Sequence, residues 1–247
     1  MRLLPALLVL ALVGCSGPGP TPSTTDFDPV STLSGEVTVF AAASLTETFE
    51  RMARVFMQEN PDVTVTLSFG GSSGLATQIA EGAPADVFAA ASPTTMQASG
   101  ATGAQNFATN VLEIAVPAGN EAGVTGLDDF ANADLAIALC AVEVPCGAAS
   151  DTLFKQKAIT PSVDTYEQDV RAVLTKVELG EVDAGLVYST DVEAAAGAVQ
   201  GIEVDSAAVN YPIAQLTDNE AAAAFIAFVL SEKGQKMLAA AGFGAAA

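Results

Sequence analysis

Apolar and polar residues alternate along the chain in two periods, one typical of strands and one typical of helices. Residues 37–43 form a nearly continuous apolar run, which predicts a strand buried on both faces. In residues 63–69, apolar side chains alternate with Thr and Ser, which predicts a second strand. Between them, one apolar helix face is formed by Phe49, Met52, Ala53 and Phe56.

The alternation of strands and helices continues to the end of the chain. A short helix is predicted over 75–81 and a third strand over 86–91. Further strands, with helices between and after them, are predicted at 111–116, 135–139, 185–188, 202–204 and 211–216. This order indicates an α/β protein with parallel sheets.

The N-terminal segment has the pattern of a secretion signal. Residues 1–15 begin with a positive charge at Arg2, continue as an apolar run and end in small residues before Cys15. The run is too short to span the roughly 30 Å of hydrocarbon in a bilayer. Residues 12–15 (LVGC) are similar to the lipobox of bacterial lipoproteins, so we expect cleavage to leave Cys15 as the acylated N-terminus. The alternative is an ordinary signal peptide with an incidental Cys.

A segment without apolar periodicity follows the signal. Residues 16–35 are rich in Pro, Gly, Ser and Thr, which predicts a flexible tether. The other long apolar run, 221–230, is bounded by Glu220 and by charged residues at 232 and 233, so it is not expected to span a membrane. We therefore expect a globule outside the cytoplasm that touches the membrane through its lipid anchor only.

Composition restricts the function of this globule. Hydrophobic residues make up 50% of the chain, so it must fold. Nine Lys and Arg against 29 Asp and Glu give a net charge of −20, which excludes nucleic acid as a partner. The chain contains no His, and therefore no His-based catalytic triad and no His ligand for a metal. We expect no enzyme activity, no cofactor and no metal cation. Lone carboxylates are expected to act as caps or surface groups, for example those of Asp86, Asp169, Asp183 and Asp191.

Three predicted junctions between a strand and a helix carry hydroxyls or small residues where helix amides are free. In the first, Ser44 and Glu47 match a capping box. In the second, 69–74 (FGGSSG), the glycines allow a tight bend before a helix. The third is 144–147 (VPCG). Each junction can present amides at the positive end of a helix dipole to an anion, although a single Ser before a helix is more often a simple N-cap.

Four segments, in this order, resemble the periplasmic molybdate-binding proteins of ABC transporters. They are 39–46 (VFAAASLT), 82–88 (GAPADVF), 144–147 (VPCG) and 185–191 (GLVYSTD). The resemblance implies a type II periplasmic-binding-protein fold, with two α/β lobes and an anion in the cleft between them. Lobe 1 would comprise 36–117 and 210–247, lobe 2 would comprise 118–209, and 111–116 and 211–216 would be the crossing strands.

The same resemblance implies five ligand-binding positions. Ser44 and Ser72 would bind the anion through hydroxyl and amide, Cys146 and Val170 through their amides, and Tyr188 through its hydroxyl. A site made only of donors suits molybdate, a fully deprotonated dianion, whereas a carboxylate acceptor would favour protonated phosphate. The implied function is capture of molybdate, and also tungstate, by a monomer that delivers the anion to an ABC transporter permease. Sulfate or another tetrahedral oxyanion is the alternative ligand.

One cysteine departs from the pattern of this family. A small residue such as Ala is common at the position of Cys146, and here Cys140 stands six residues before it. In an oxidising compartment the two thiols can form a disulfide, worth roughly 2 kcal/mol. Two buried free thiols are the alternative. Lys155 and Lys157 follow on the next helix, beyond its first-turn amides, and are expected to face solvent and not the ligand.

Overall fold

Two five-stranded sheets with helices around them make up residues 33–246, the part of the chain that the computed structural model describes. The predicted signal peptide with Cys15, and the predicted tether up to residue 32, lie outside the described residues. No described helix is long and apolar enough to cross a membrane.

The elements follow the predicted order. The strands are β1 (Gly35–Ala42), β2 (Val63–Gly70), β3 (Val87–Ala89), β4 (Gln105–Asn110), β5 (Leu112–Pro117), β6 (Ile137–Cys140), β7 (Thr165–Glu167), β8 (Ala184–Tyr188), β9 (Val199–Glu203) and β10 (Val209–Gln215). The helices are α1 (Thr46–Glu59), α2 (Ser72–Ala80), α3 (Pro93–Ala98), α4 (Pro145–Lys157), α5 (Val170–Glu178), α6 (Ser189–Ala194), α7 (Glu220–Leu230) and α8 (Glu232–Ala239), with 3-10 turns at Ala43–Leu45 and Leu127–Ala131. The sequence pattern does not predict β4 (QNFATN) or β7 (TYE), because neither contains an apolar run.

The chain crosses between the sheets twice. The first sheet has the order β2-β1-β3-β10-β4 and the second has the order β7-β6-β8-β5-β9, so the first lobe, built on the first sheet, is discontinuous in sequence. The structure differs from the sequence-based boundary at residue 117, because β5 pairs with β8 and β9 in the second sheet. The sequence pattern cannot show this, because a buried apolar run looks the same in either sheet. Since β4 ends at Asn110 and β5 begins at Leu112, we place the first crossing at Val111.

The prediction of parallel sheets holds for only some of the strands. β1 pairs in parallel with β2 and β3, and β6 pairs in parallel with β7 and β8. β5 and β10 run antiparallel to both of their neighbours, so the prediction is wrong for them. Each of these two strands enters its sheet directly from the other lobe, without the helical crossover that a parallel neighbour requires.

The predicted apolar face of α1 is buried and holds the helix in place. Its four residues, Phe49, Met52, Ala53 and Phe56, are each at most 3% exposed. Phe49 and Phe56 pack edge-on against Phe225 of α7, with ring centroids 6.1 and 5.4 Å apart. This packing fixes α1, and with it the 3-10 turn that joins α1 to the carboxyl end of β1.

Candidate anion-binding site

A small cavity lies between the lobes, where strands end and helices begin. Its volume is about 20 Å³, above the roughly 10–15 Å³ that one water requires. The five positions implied by the resemblance all line this cavity, Ser44 and Ser72 from the first lobe and Cys146, Val170 and Tyr188 from the second. The structure therefore brings together residues from both halves of the chain.

Three helices begin at this cavity. They are α2, which starts at Ser72, three residues before the predicted start, α4, which starts at Pro145, and α5, which starts at Val170. The N-cap residues of α2 and α4, Gly71 and Val144, make no side-chain capping hydrogen bond. The amides of their first turns, including those of Ser72 and Cys146, are therefore open to an acceptor in the cavity. The positive ends of the three helix dipoles also favour a negative charge there.

Ser44 does not form the predicted capping box. It lies in the 3-10 turn Ala43–Leu45, so α1 begins one residue later than a Ser44 cap requires, and the residue at its N-cap, Leu45, makes no side-chain capping hydrogen bond. The Ser44 hydroxyl instead lies 2.8 Å from the hydroxyl of Tyr211, and the Glu47 carboxylate accepts a hydrogen bond from Arg171. The sequence analysis did not predict a role for Tyr211. Nothing in the pattern of its strand indicates that its hydroxyl contacts Ser44, which is 167 residues away.

The hydroxyl of Ser72 is oriented by a neighbouring strand end. Ser72 is 2% exposed, and its Oγ accepts a hydrogen bond from the amide of Ala91 at 3.0 Å. A serine hydroxyl has one hydrogen and can accept as well as donate. The Ala91 amide bonds to a lone pair of the Ser72 oxygen, so the hydroxyl hydrogen of Ser72 stays available. Ser72 can therefore donate into the cavity through both its hydroxyl and its amide.

Tyr188 brings a buried hydroxyl to the cavity. The residue is 1% exposed, and its Oη makes no hydrogen bond of good geometry with any described residue. Burial raises the pKa of Tyr188 well above its ordinary value, so the hydroxyl stays neutral and can donate. The hydroxyl of Tyr211 interacts with it, but in the absence of a well-aligned hydrogen bond the Tyr188 donor remains available to an acceptor held in the cavity.

Cys140 and Cys146 are bonded through their sulfur atoms, with Cα atoms 5.7 Å apart. The pair joins the end of β6 to the first turn of α4, beside the amide that faces the cavity. The connecting loop is tight, since a Cβ on Gly147 would lie 1.9 Å from the carbonyl oxygen of Ala141. Disulfide and glycine together hold this helix start close to the strand.

Few charged side chains line the cavity. Among the described residues no Lys or Arg lines it, and the one ionisable carboxylate in its lining belongs to Asp169. Oδ1 of Asp169 accepts a hydrogen bond from the amide of Ala172 and caps α5, as predicted. The sequence analysis did not predict that Asp169 lines the cavity. Lys155 and Lys157 instead pair with Asp151 and Asp205. The donors that line the cavity are therefore neutral.

The two lobes touch beside the cavity. A Cβ built on Gly71 would lie 2.2 Å from the carbonyl oxygen of Gln168, which belongs to the other lobe. Backbone therefore approaches backbone across the cleft, one residue before Ser72 and two residues before Val170. The two lobes are therefore in contact at the edge of the cavity.

Comparisons with known proteins agree with this architecture. The profile of the bacterial extracellular solute-binding proteins matches residues 37–244. The molybdate-binding protein ModA of Mycobacterium tuberculosis is 37% identical over 254 residues, covering 98% of this chain and 95% of its own.

Two solved structures show the same fold at lower identity. The periplasmic molybdate-binding protein of Azotobacter vinelandii superposes with a TM-score of 0.69 at 20% identity, over 84% of this chain and 98% of that one. The sulfate-binding protein SubI of Mycobacterium tuberculosis superposes with a TM-score of 0.73 at 19% identity, over 84% and 86%. The profile match and the 37% identity along nearly the whole chain show that this chain belongs to the bacterial extracellular solute-binding protein family.

Proposed function

We propose that this chain captures molybdate, and also tungstate, outside the cytoplasm and delivers it to the permease of an ABC transporter. The observation that carries the proposal is one small cavity between two lobes, lined by Ser44, Ser72, Cys146, Val170 and Tyr188. Every one of these residues offers a neutral donor. The molybdate-binding relative that aligns with nearly the whole chain supports the choice of ligand.

The cavity suits a small anion. Its volume of about 20 Å³ exceeds the space that one water requires. Two serine hydroxyls, the Tyr188 hydroxyl and the helix amides then supply donors from several directions. These donors favour a dianion that has no proton to donate, and the carboxylate of Asp169, which also lines the cavity, accepts the amide of Ala172.

Sulfate is the second candidate ligand, since the same donors would serve it and a sulfate-binding protein shares the fold. A calorimetric titration of residues 31–247 with molybdate, tungstate, sulfate and phosphate decides between them. We expect saturable binding of molybdate and tungstate, much weaker sulfate binding and no phosphate binding. Tight phosphate binding without a response to molybdate would overturn the assignment.

We further propose that the protein is a monomeric lipoprotein, anchored through Cys15 and set off from the membrane by residues 16–35. The lipobox-like residues 12–15 support this. Labelling of the expressing cells with palmitate tests it, with Cys15→Ala as the comparison. Wild type should take up label and the variant should not, and equal labelling of both would refute the anchor.

A further inference from the structure

We propose that Arg171 acts as a latch that keeps the lobes closed on the anion, through an ion pair with Glu47 across the cleft. The inference rests on the proposed function, since the latch acts on a bound anion. Neither side chain lines the cavity. Their role is to position the residues that do.

The pair connects the two walls of the cavity. Arg171 Nη2 lies 2.6 Å from Glu47 Oε1, and the two residues belong to α5 of the second lobe and α1 of the first. Glu47 stands three residues after Ser44, and Arg171 directly follows Val170. When these side chains meet, the backbone segments that carry Ser44 and Val170 are brought to opposite sides of one small space.

The other end of the guanidinium faces the second lobe. Arg171 Nη1 lies 3.8 Å from Oδ1 of Asp191, and both atoms are buried without a hydrogen bond to any described residue. Oδ2 of Asp191 accepts a hydrogen bond from the amide of Tyr188 at 3.1 Å. Arg171 therefore links α1 to the two elements that bring Val170 and Tyr188 to the cavity.

The strength of the latch is limited by solvent. The side chain of Arg171 is 30% exposed and that of Glu47 is 42% exposed, so the pair is partly screened. An ion pair of this kind shifts the equilibrium between open and closed lobes by about two- to fivefold. The loss should appear as faster dissociation, because the contact forms in the closed complex, and it should shrink as salt screens the pair.

Stopped-flow measurement of molybdate release from wild type, Glu47→Gln and Glu50→Gln proteins tests the latch. Glu50 is the matched control, because it lies on the same helix, carries the same charge and pairs with Arg54 of its own helix. A fourth protein, Glu47→Asp, keeps the charge and shortens the reach. Ligand-free melting temperatures verify that all four proteins are folded.

We expect release about two- to fivefold faster from Glu47→Gln than from Glu50→Gln at low salt, with Glu47→Asp also faster than wild type. The difference between the two Gln variants should fade in 1 M salt. Equal release rates for the two Gln variants would overturn the latch while leaving the proposed function intact. Absence of molybdate binding in all four proteins would refute the proposed function and the latch with it.

Discussion

The hydroxyl of Ser44 lies 2.8 Å from the hydroxyl of Tyr211, although the residues stand 167 positions apart. Ser44 follows the first strand of the first lobe, and Tyr211 lies on β10, the strand that returns to that lobe. Burial raises the pKa of Tyr211, so its hydroxyl stays neutral. When Tyr211 donates, the hydrogen of Ser44 is left for the cavity. In this way β10 orients the hydroxyl of Ser44, which lies just beyond the carboxyl end of β1.

Replacing Tyr211 by Phe should disturb both folding and binding. The change leaves Ser44 without its partner in a buried place, which costs about 1 kcal/mol of unfolding free energy. Molybdate affinity should fall several-fold because Ser44 is no longer oriented. Chemical denaturation and calorimetry measure the two effects. A variant with wild-type values for both would show that the Ser44 contact is irrelevant.

Tyr188→Phe should behave differently. The Tyr188 hydroxyl makes no hydrogen bond of good geometry with any described residue, so its removal should change the ligand-free melting temperature little. The loss of one donor to a charged ligand should lower molybdate affinity about tenfold to a hundredfold. Thermal shift assays with and without molybdate separate the two quantities. A variant destabilised without ligand, yet binding normally, would contradict this account of the hydroxyl.

The buried carboxyl of Asp191 should give stability a distinctive pH dependence. Burial raises the pKa of Asp191 to about 7 in the folded protein, whereas the unfolded chain releases this proton near about pH 3.9. The folded state therefore binds the extra proton between these values. The stability that this contributes is fully present below about pH 4 and is lost as the pH rises towards 7.

Asp191→Asn should remove that contribution while keeping an acceptor for the amide of Tyr188. Between pH 4 and 7 the unfolding free energy of wild type should fall more steeply than that of the variant. Urea denaturation at a series of pH values measures both slopes. Parallel curves would mean that Asp191 does not titrate in this range.

The disulfide should support the start of α4. Replacing Cys140 and Cys146 together by Ser should lower the unfolding free energy by roughly 2 kcal/mol. Mass spectrometry of unreduced peptides should find the two residues linked in wild type. If both cysteines are instead alkylated without reductant, the bridge is absent from that preparation and the variant should lose little stability.

Local composition predicts two of the helix starts at the cavity, because glycines and hydroxyls mark the one at Ser72 and a proline marks the one at Cys146. Only the family resemblance implies Val170. The contacts of Tyr211 and Arg171 could not be predicted, because both reach across the fold to partners that no local period encodes. The sequence-based boundary also put β5 in the first lobe, whereas it lies in the second sheet. A pattern of burial does not show which sheet a strand joins.

We infer that neutral hydroxyls and amides, and not a lysine or arginine side chain, hold the anion. Calorimetric titration of Ser44→Ala with molybdate tests it, beside Lys155→Ala and a matched hydroxyl deletion on α4, Thr152→Ala. Ser44→Ala should bind about tenfold to a hundredfold more weakly, while the other two variants should bind like wild type. Abolished binding in Lys155→Ala, together with wild-type affinity in Ser44→Ala, would show that a cationic side chain holds the anion instead.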